Sequence, residues 1–247
     1  MKLVIEDAPV LKAAIDPVVN LVEEGLFEIK ADGLYLKAMD PSQISMVSFK
    51  MPKTVFLEYN LEEETKLGLN IKQFAEILSR GKKGERAEMS VEDGRLIVRF
   101  VKDKRKRMFK IPLLDIGESL QREPKIEFKN YAKISGDALK EVLKDAKLVS
   151  THVRFVLTPN SLLVEVKGDN GEVKAEFEKG EEVSEIESNS ETVRATFPLQ
   201  YLEDIVRASG AQSAIKINLE TDRPLKLEYE VQGAQVAYYL APRIESE

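Results

Sequence analysis

The chain repeats itself. Phe27 and Phe155, Leu11 and Leu139, Lys12 and Lys140, Leu34 and Leu162, and Phe49 and Phe177 all stand 128 positions apart. Further along, a spacing of 127 aligns Gln73 with Gln200, Glu76 with Glu203, Arg80 with Arg207 and Phe74 with Tyr201. That spacing predicts the loss of one residue in a mid-domain loop of the second copy. An internal repeat of this length constrains architecture more than any motif does, because each copy must close a core of its own. The 247 residues then divide into two domains of roughly 120 residues, each large enough to do so.

The apolar periodicity repeats in the same order. Residues 2–6 alternate as a strand, and Val10, Leu11, Ala14, Ile15, Val18 and Val22 recur at helical spacing. Asp7 is placed as N-cap, and Pro17 predicts a kink or a split. Phe27, Ile29 and Ala31 alternate with Glu28 and Lys30, and Asp32-Gly33 reads as a hairpin turn. Leu34, Leu36 and Ala38 resume the alternation, and Val47, Phe49 and Met51 form another strand face. A helix is expected over 71–80, with Ile71, Phe74, Ile77 and Leu78 apolar and Gly81 ending it. Strands follow at Met89–Val91, Leu96–Val101 and Met108–Leu113. The second half runs strand 131–135, a helix bearing Leu139, Val142, Leu143 and Ala146, and strands at 153–158, 161–167 and 172–178. A polar loop, a strand at 192–197, a helix at 199–208 and three closing strands complete it. The expected fold class is therefore α+β, built from duplicated β-α-β-β-β units. The boundaries fall at 1–113 for the first domain, 114–128 for an extended connector and 129–247 for the second. In the connector Ile116 and Leu120 are either exposed or tucked onto a domain.

Catalytic constellations are scarce. The absence of cysteine excludes disulfides, thiolate nucleophiles and cysteine zinc sites, and a single histidine, His152, excludes multi-histidine metal sites. No GxxxxGK[ST], GxGxxG after a strand, HExxH or GxSxG is present. Gly81-Lys-Lys-Gly84 follows a helix instead of opening one, so it reads as a solvated turn. His152 has no serine or aspartate tied to it by spacing and reads as a surface or packing residue. Asp7, Asp32, Asp40 and Asp93 fall in caps and turns, where carboxylates support local backbone. No enzyme, catalytic residue, metal or cofactor is expected, and a metal-dependent nuclease assembled across the fold is the alternative from another class. No apolar run approaches the about 18 residues of a membrane span, and the N-terminal residues lack the layout of a signal peptide.

With 37 basic and 43 acidic residues the net charge is −6, so any contact with nucleic acid has to come from local arrangement. Lys140, Lys144 and Lys147 lie opposite the apolar stripe of their helix, and Lys12 is the repeat partner of Lys140. Lys72, Arg80, Lys82 and Lys83 belong to the second helix and its exit, and Arg207 to the fourth. The four helices with their caps carry nine basic and seven acidic residues, so the acidic excess lies elsewhere. Two readings stand: an ordinary solvated face with i,i+4 pairs, or a sparse, sequence-blind phosphate-contacting surface. The basic run Lys102–Arg107 straddles a hairpin turn whose repeat counterpart, Val231–Gln235, is neutral. That asymmetry points one end of the first domain toward something acidic.

Three segments then carry a resemblance: Leu36-Lys-Ala-Met-Asp-Pro-Ser-Gln-Ile-Ser-Met-Val47, the connector opening Leu113-Leu-Asp115, and Tyr239-Leu-Ala-Pro-Arg-Ile244. Together they resemble the DNA sliding clamps, the proliferating cell nuclear antigen family, in archaeal form. The resemblance spans essentially the whole chain. It implies the DNA-clamp fold, with three subunits closed head to tail into a ring and twelve helices lining the hole. The implied function is a replicative processivity factor that encircles duplex DNA and tethers DNA polymerase and repair enzymes. Lys12, Lys72, Arg80, Lys82, Lys83, Lys140, Lys144, Lys147 and Arg207 would face the duplex. The implied docking pocket for partner peptides comprises Met39, Ile44 and Met46, Ile116 and Leu120 of the connector, and Pro224, Tyr239, Leu240, Ala241, Pro242 and Ile244. The implied joint sets the strand at 108–113, with Phe109 and Ile111, against the neighbour's strand at 172–178, with Ala175 and Phe177. Lys82, Lys83 and Arg107 would there meet Glu141 and Asp145. Expected partners are double-stranded DNA, further copies of the chain, DNA polymerase, the clamp loader, flap endonuclease and DNA ligase. One subunit of a heterotrimeric clamp is the alternative within the family. A cytoplasmic, nucleoid-associated location follows from the same resemblance.

Overall fold

A computed structural model describes residues 1–117, 122–169, 171–189 and 192–244. The chain forms two compact units. The first unit contains Met1–Pro41, Val47–Arg122 and Val231–Val236; the second contains Ser42–Met46, Glu123–Glu230 and Ala237–Glu247.

In the first half the order is β1 (Lys2–Ile5), α1 (Ala8–Val19), β2 (Glu24–Lys30), β3 (Gly33–Met39), β4 (Ser45–Pro52), β5 (Glu58–Asn60), β6 (Thr65–Asn70), α2 (Ile71–Leu78), β7 (Arg86–Glu92), β8 (Arg95–Lys102) and β9 (Arg105–Pro112). The second half follows with β10 (Tyr131–Ser135), α3 (Gly136–Lys147), β11 (His152–Leu157), β12 (Ser161–Gly168), β13 (Gly171–Glu178), β14 (Val183–Glu187), β15 (Val193–Pro198), α4 (Leu199–Val206), β16 (Ala214–Asn218), β17 (Leu225–Val231) and β18 (Ala234–Leu240). The α+β class and the duplication hold, element for element.

In the first unit β5-β1-β7-β8-β9 and β4-β3-β2-β6 are the two strand orders; in the second they are β14-β10-β16-β17-β18 and β13-β12-β11-β15. Each unit packs its two helices on each other and on its strands, α1 against β1 and β7, α2 against β2 and β6. The inward stripes meet there: Leu11, Ala14, Ile15 and Val18 of α1, and Leu139, Val142, Leu143 and Ala146 of α3, are all buried. Burying such side chains against sheet faces supplies the main stabilisation of each unit, at about 1.5–3 kcal/mol for each large aliphatic.

Several expectations require correction. The spacing of 127 does not survive, because α2 begins at Ile71 and α4 at Leu199, 128 apart like α1 and α3. Burial fixes the alignment: Ile71, Phe74 and Leu78 answer to Leu199, Leu202 and Val206, all buried. Tyr201 and Arg207 are therefore not the counterparts of Phe74 and Arg80. Pro17 does not split α1, which continues to Val19. Asp7 holds the N-cap position without bonding the helix side-on. Pro9 removes one of the N–H groups that Asp7 could reach, and the Asp7 Oδ1 instead accepts from the Gly84 N–H at 2.7 Å. Ala31 lies beyond the end of β2 and is exposed, and in α2 it is Ala75 that is buried, with Ile77 half-buried. β5, β6 and β14 are strands the periodicity does not announce, β14 lying within the expected polar loop.

Candidate functional site

The residues singled out in the sequence fall on three surfaces: the helix faces, the segments around Ile44 and Tyr239, and the outer edges of the sheets. The helices form where caps allow. Asn70 caps α2 by accepting the Gln73 N–H at 2.8 Å, and Ser135 caps α3 by accepting the Ala138 N–H at 3.3 Å.

On the helix faces the nine basic residues fall into two groups. Lys12 is paired with Asp16 one turn on, at 2.6 Å. Lys147 is bound to Glu203 of α4 at 3.0 Å, and Arg207 to Asp204 at 2.5 Å. Lys140 is half-buried and donates from Nζ to the Ser209 carbonyl at 2.5 Å. Burial lowers its pKa, offset in part by Asp137. This lysine ties α3 to the residues after α4. Lys72, Arg80, Lys82, Lys83 and Lys144 are exposed and have no ion pair among the described residues, so they are the groups available to an anion.

At the exit of α2 lies a residue the sequence did not single out. Glu85 is 1% exposed. Its carboxylate accepts the Lys82 N–H at 2.9 Å and takes ion pairs from Arg105, at 2.6 Å, and Arg107. Arg107 also donates to the Arg80 carbonyl at 2.8 Å and lies over the Phe100 ring. Burial pushes the Glu85 carboxyl up, but the Lys82 N–H and the two guanidiniums outweigh it and hold the group below its ordinary value. The signal available in sequence was the basic run itself: a hairpin carrying Arg105 and Arg107 on one side calls for a counter-ion in the turn beneath it.

The expected docking residues are not all surface. Met39 and Ile44 are each 37% exposed and Ile244 is 91% exposed, whereas Met46 and Leu240 are buried. Those two buried side chains present nothing to a ligand. In the second unit the Ala241 N–H donates to the Ile44 carbonyl at 2.9 Å, and the Arg243 N–H to the Thr196 carbonyl at 2.8 Å. The segment 241–244 is thus held along β15, with Ala241, Pro242 and Pro224 half-buried. Tyr239 is buried too; its hydroxyl donates to Glu123 at 2.9 Å and Lys226 lies over its ring. Burial, then this hydrogen bond, push its pKa well up. In the first unit the start of the connector is pinned to β6, where the Leu114 N–H donates to the Gly68 carbonyl at 2.8 Å. Ile116 is half-buried beside Gly68; Leu120 lies outside the described residues.

At the sheet edges, among the described residues, β9 pairs only with β8 and β13 only with β12. Phe109, Ala175 and Phe177 are half-buried there, but Ile111 is wholly buried and belongs to the core of its own unit. Glu141 and Asp145 are exposed on α3. His152 is half-buried, its pKa lowered by burial and then by Arg243; its ring nitrogen contacts Thr151. No described helix is long and apolar enough to cross a membrane.

Comparison with known proteins covers the whole of this geometry. The model of the N-terminal domain of proliferating cell nuclear antigen matches residues 1–118, and that of its C-terminal domain matches residues 123–244. The DNA polymerase sliding clamp of Methanococcus maripaludis is 37% identical over 241 residues, 95% of this chain and 96% of that one. Among solved structures, PCNA from Thermococcus kodakaraensis superposes with a TM-score of 0.92 at 25% identity, covering 98% of this chain and 99% of that one. A. fulgidus PCNA, solved with the C-terminal region of FEN-1 bound, superposes with a TM-score of 0.88 at 28% identity over 100% and 99%.

Proposed function

The chain belongs to the proliferating cell nuclear antigen family, and we propose from that premise that three copies close head to tail into a ring around duplex DNA. The function is that of an archaeal sliding clamp: a non-enzymatic processivity factor that tethers DNA polymerase and other replication and repair enzymes to the template. The observation that carries the reading is the match of both halves of the chain, in order, to the two clamp domains. The domains are 1–113 and 129–247, joined by a connector at 114–128.

The physics fits this role. Exposed strand edges invite pairing, and dissimilar edges joined head to tail close into a ring when the rotation permits. In that ring Lys72, Arg80, Lys82, Lys83 and Lys144 face the phosphates. Lys12, Lys140, Lys147 and Arg207 are already engaged within the chain and contribute less. A few loosely held cations suit sliding, since topology provides retention and strong contacts would brake movement. Arg107 is bound to Glu85, so its part in the joint with Glu141 and Asp145 is to shape β9 as well as to attract.

For short peptides with aliphatic and aromatic anchors, the docking residues are Met39 and Ile116 in the first unit and Ile44, Pro224, Pro242 and Ile244 in the second, with buried Tyr239 behind the latter. The FEN-1 segment bound to the A. fulgidus relative supports flap endonuclease as one partner, beside DNA polymerase, the clamp loader and DNA ligase. Such a protein works in the cytoplasm, on the nucleoid.

The test is mass and retention together. Light scattering should find a species of about 84 kDa, three 27.9-kDa chains. Loaded onto nicked circular DNA it should resist high salt, and it should run off once the circle is cut. A particle that leaves circles and linear DNA equally would overturn encirclement. A persistent monomer that assembles only with other clamp chains would place it in a heterotrimer.

A further inference from the structure

Positive charge is gathered at one end of the first unit, on two neighbouring turns. Residues 80–85, at the exit of α2, and residues 102–107, the β8–β9 hairpin, together hold eight basic and two acidic residues, on a chain whose net charge is −6. Their counterparts in the repeat, 208–213 and 231–236, hold no charged residue at all. The two turns meet. A Cβ at Gly84 would stand 3.6 Å from the Lys102 Nζ, and Glu85 joins hairpin to α2 exit through Arg105, Arg107 and the Lys82 N–H. This clasp sorts the cations. The two arginines, whose planar guanidiniums suit a fixed carboxylate, are engaged with Glu85. Arg80, Lys82, Lys83, Lys102, Lys104 and Lys106 are exposed and have no ion pair among the described residues. Two further carboxylates lie close by: Asp103 in the hairpin turn, and Asp7, which accepts the Gly84 N–H.

We propose that the β8–β9 hairpin is a DNA contact in its own right, with Lys102, Lys104 and Lys106 binding duplex phosphates and continuing, off the helices, the surface begun by Arg80, Lys82 and Lys83. This rests on the reading of the chain as a DNA-encircling clamp and adds to it a contact that one repeat carries and the other lacks. The chemistry of the patch favours a polyanion over a protein partner. None of residues 80–85 or 102–107 is an exposed large hydrophobic, whereas a protein interface is built around an apolar core. Phosphate binding needs no such core. A lysine ammonium is also a point charge on a flexible stem, able to hold a phosphate in many geometries and to pass from one to the next. Free lysines beside engaged arginines therefore suit a contact that is sequence-blind and moves. On an acidic chain, a local positive field of this kind also draws DNA toward one end of the first unit.

The test is charge removal with a direct contact probe. Lys102→Gln, Lys104→Gln and Lys106→Gln together should weaken binding to a short linear duplex at least about fivefold at low salt. The log–log salt slope should fall by up to about 0.9 for each phosphate no longer neutralised. Lys53→Gln, Lys125→Gln and Lys129→Gln, at positions exposed elsewhere, change the net charge equally and should weaken binding far less. The chain has no cysteine, so a photo-crosslinker on Lys104→Cys should label duplex DNA, and the same group on Gln235→Cys, in the uncharged counterpart turn, should not. Equal weakening by the two triple variants, no label from position 104, or equal label from position 235 overturns the hairpin contact. So does a trimer that dissociates in light scattering when the three hairpin lysines are changed, which would assign them to another copy of the chain. Each of these results leaves the ring standing as long as the unmodified protein stays on closed circles; if it does not, the ring reading fails, whatever position 104 touches.

Discussion

Glu85 shows how one side chain can organise a region that looks merely basic in sequence. Two guanidiniums and an amide converge on a carboxylate that is 1% exposed, fixing the α2 exit to the edge strand β9. Removing its charge leaves Arg105 and Arg107 to water and to each other. Glu85→Gln should lower stability by about 1–3 kcal/mol, the cost of an imperfectly satisfied buried polar group, measurable by denaturant unfolding at pH 7. The pH dependence has a definite sign. The folded-state pKa is held below the ordinary value of 4.5, so the stabilisation is present above that value and is lost as pH falls through the folded pKa. The Gln variant should therefore lack part of the acid-side decline, and an unchanged pH profile would show that Glu85 contributes no charge-specific stability. Lys140 teaches the opposite lesson. Its place in a lysine series on α3 marks it as a cation for DNA, yet its ammonium is spent on the Ser209 carbonyl.

Among the elements, the connector's beginning depends on a single missing methyl. A Cβ at Gly68 would stand 2.1 Å from the Leu114 carbonyl oxygen and 3.1 Å from Ile116, so any larger residue must drive residues 114–116 off β6. Gly68→Ala should leave both cores folded, while amide exchange at Leu114, whose N–H bonds Gly68, accelerates and peptide docking weakens. Unchanged exchange there would show that the strand gives way instead. Nothing local in Thr65–Asn70 distinguishes this glycine from one in a loop, because the atom it accommodates comes from 46 positions away. The helices were legible for the converse reason. Their apolar stripes at i, i+3, i+4 and i+7 need no distant information, and all four expected residues of α3 are buried, with Gly136 and Ala138 added at its start. β14, Val183–Glu187, carries glutamates at alternate positions and, among the described residues, pairs with β10 alone. A strand of that kind is recognised by its partner, not by its own composition.

At the scale of the molecule the governing fact is a net charge of −6 on a protein whose work is on a polyanion. In the proposed ring, encirclement resolves this, because retention does not require net attraction. Replacing Lys72, Lys82, Lys83 and Lys144 by Gln should reduce binding to short linear duplexes and flatten its salt dependence. The log–log slope should fall by up to about 0.9 for each phosphate that is no longer neutralised. Retention on closed circles should survive. Circles released in step with weakened linear binding would mean that charge, not topology, holds the protein to DNA.

The duplication, the α+β class, the helix faces and the family resemblance were all determined by the sequence alone, because each is written in residues close together or in a pattern repeated whole. Which lysines remain free, that Glu85 anchors the basic hairpin, that Met46, Leu240 and Ile111 are buried, and where the second-half helix sits in the repeat were decided by tertiary structure. Those facts depend on partners dozens of positions distant, and only the folded chain brings the two sides of each contact together.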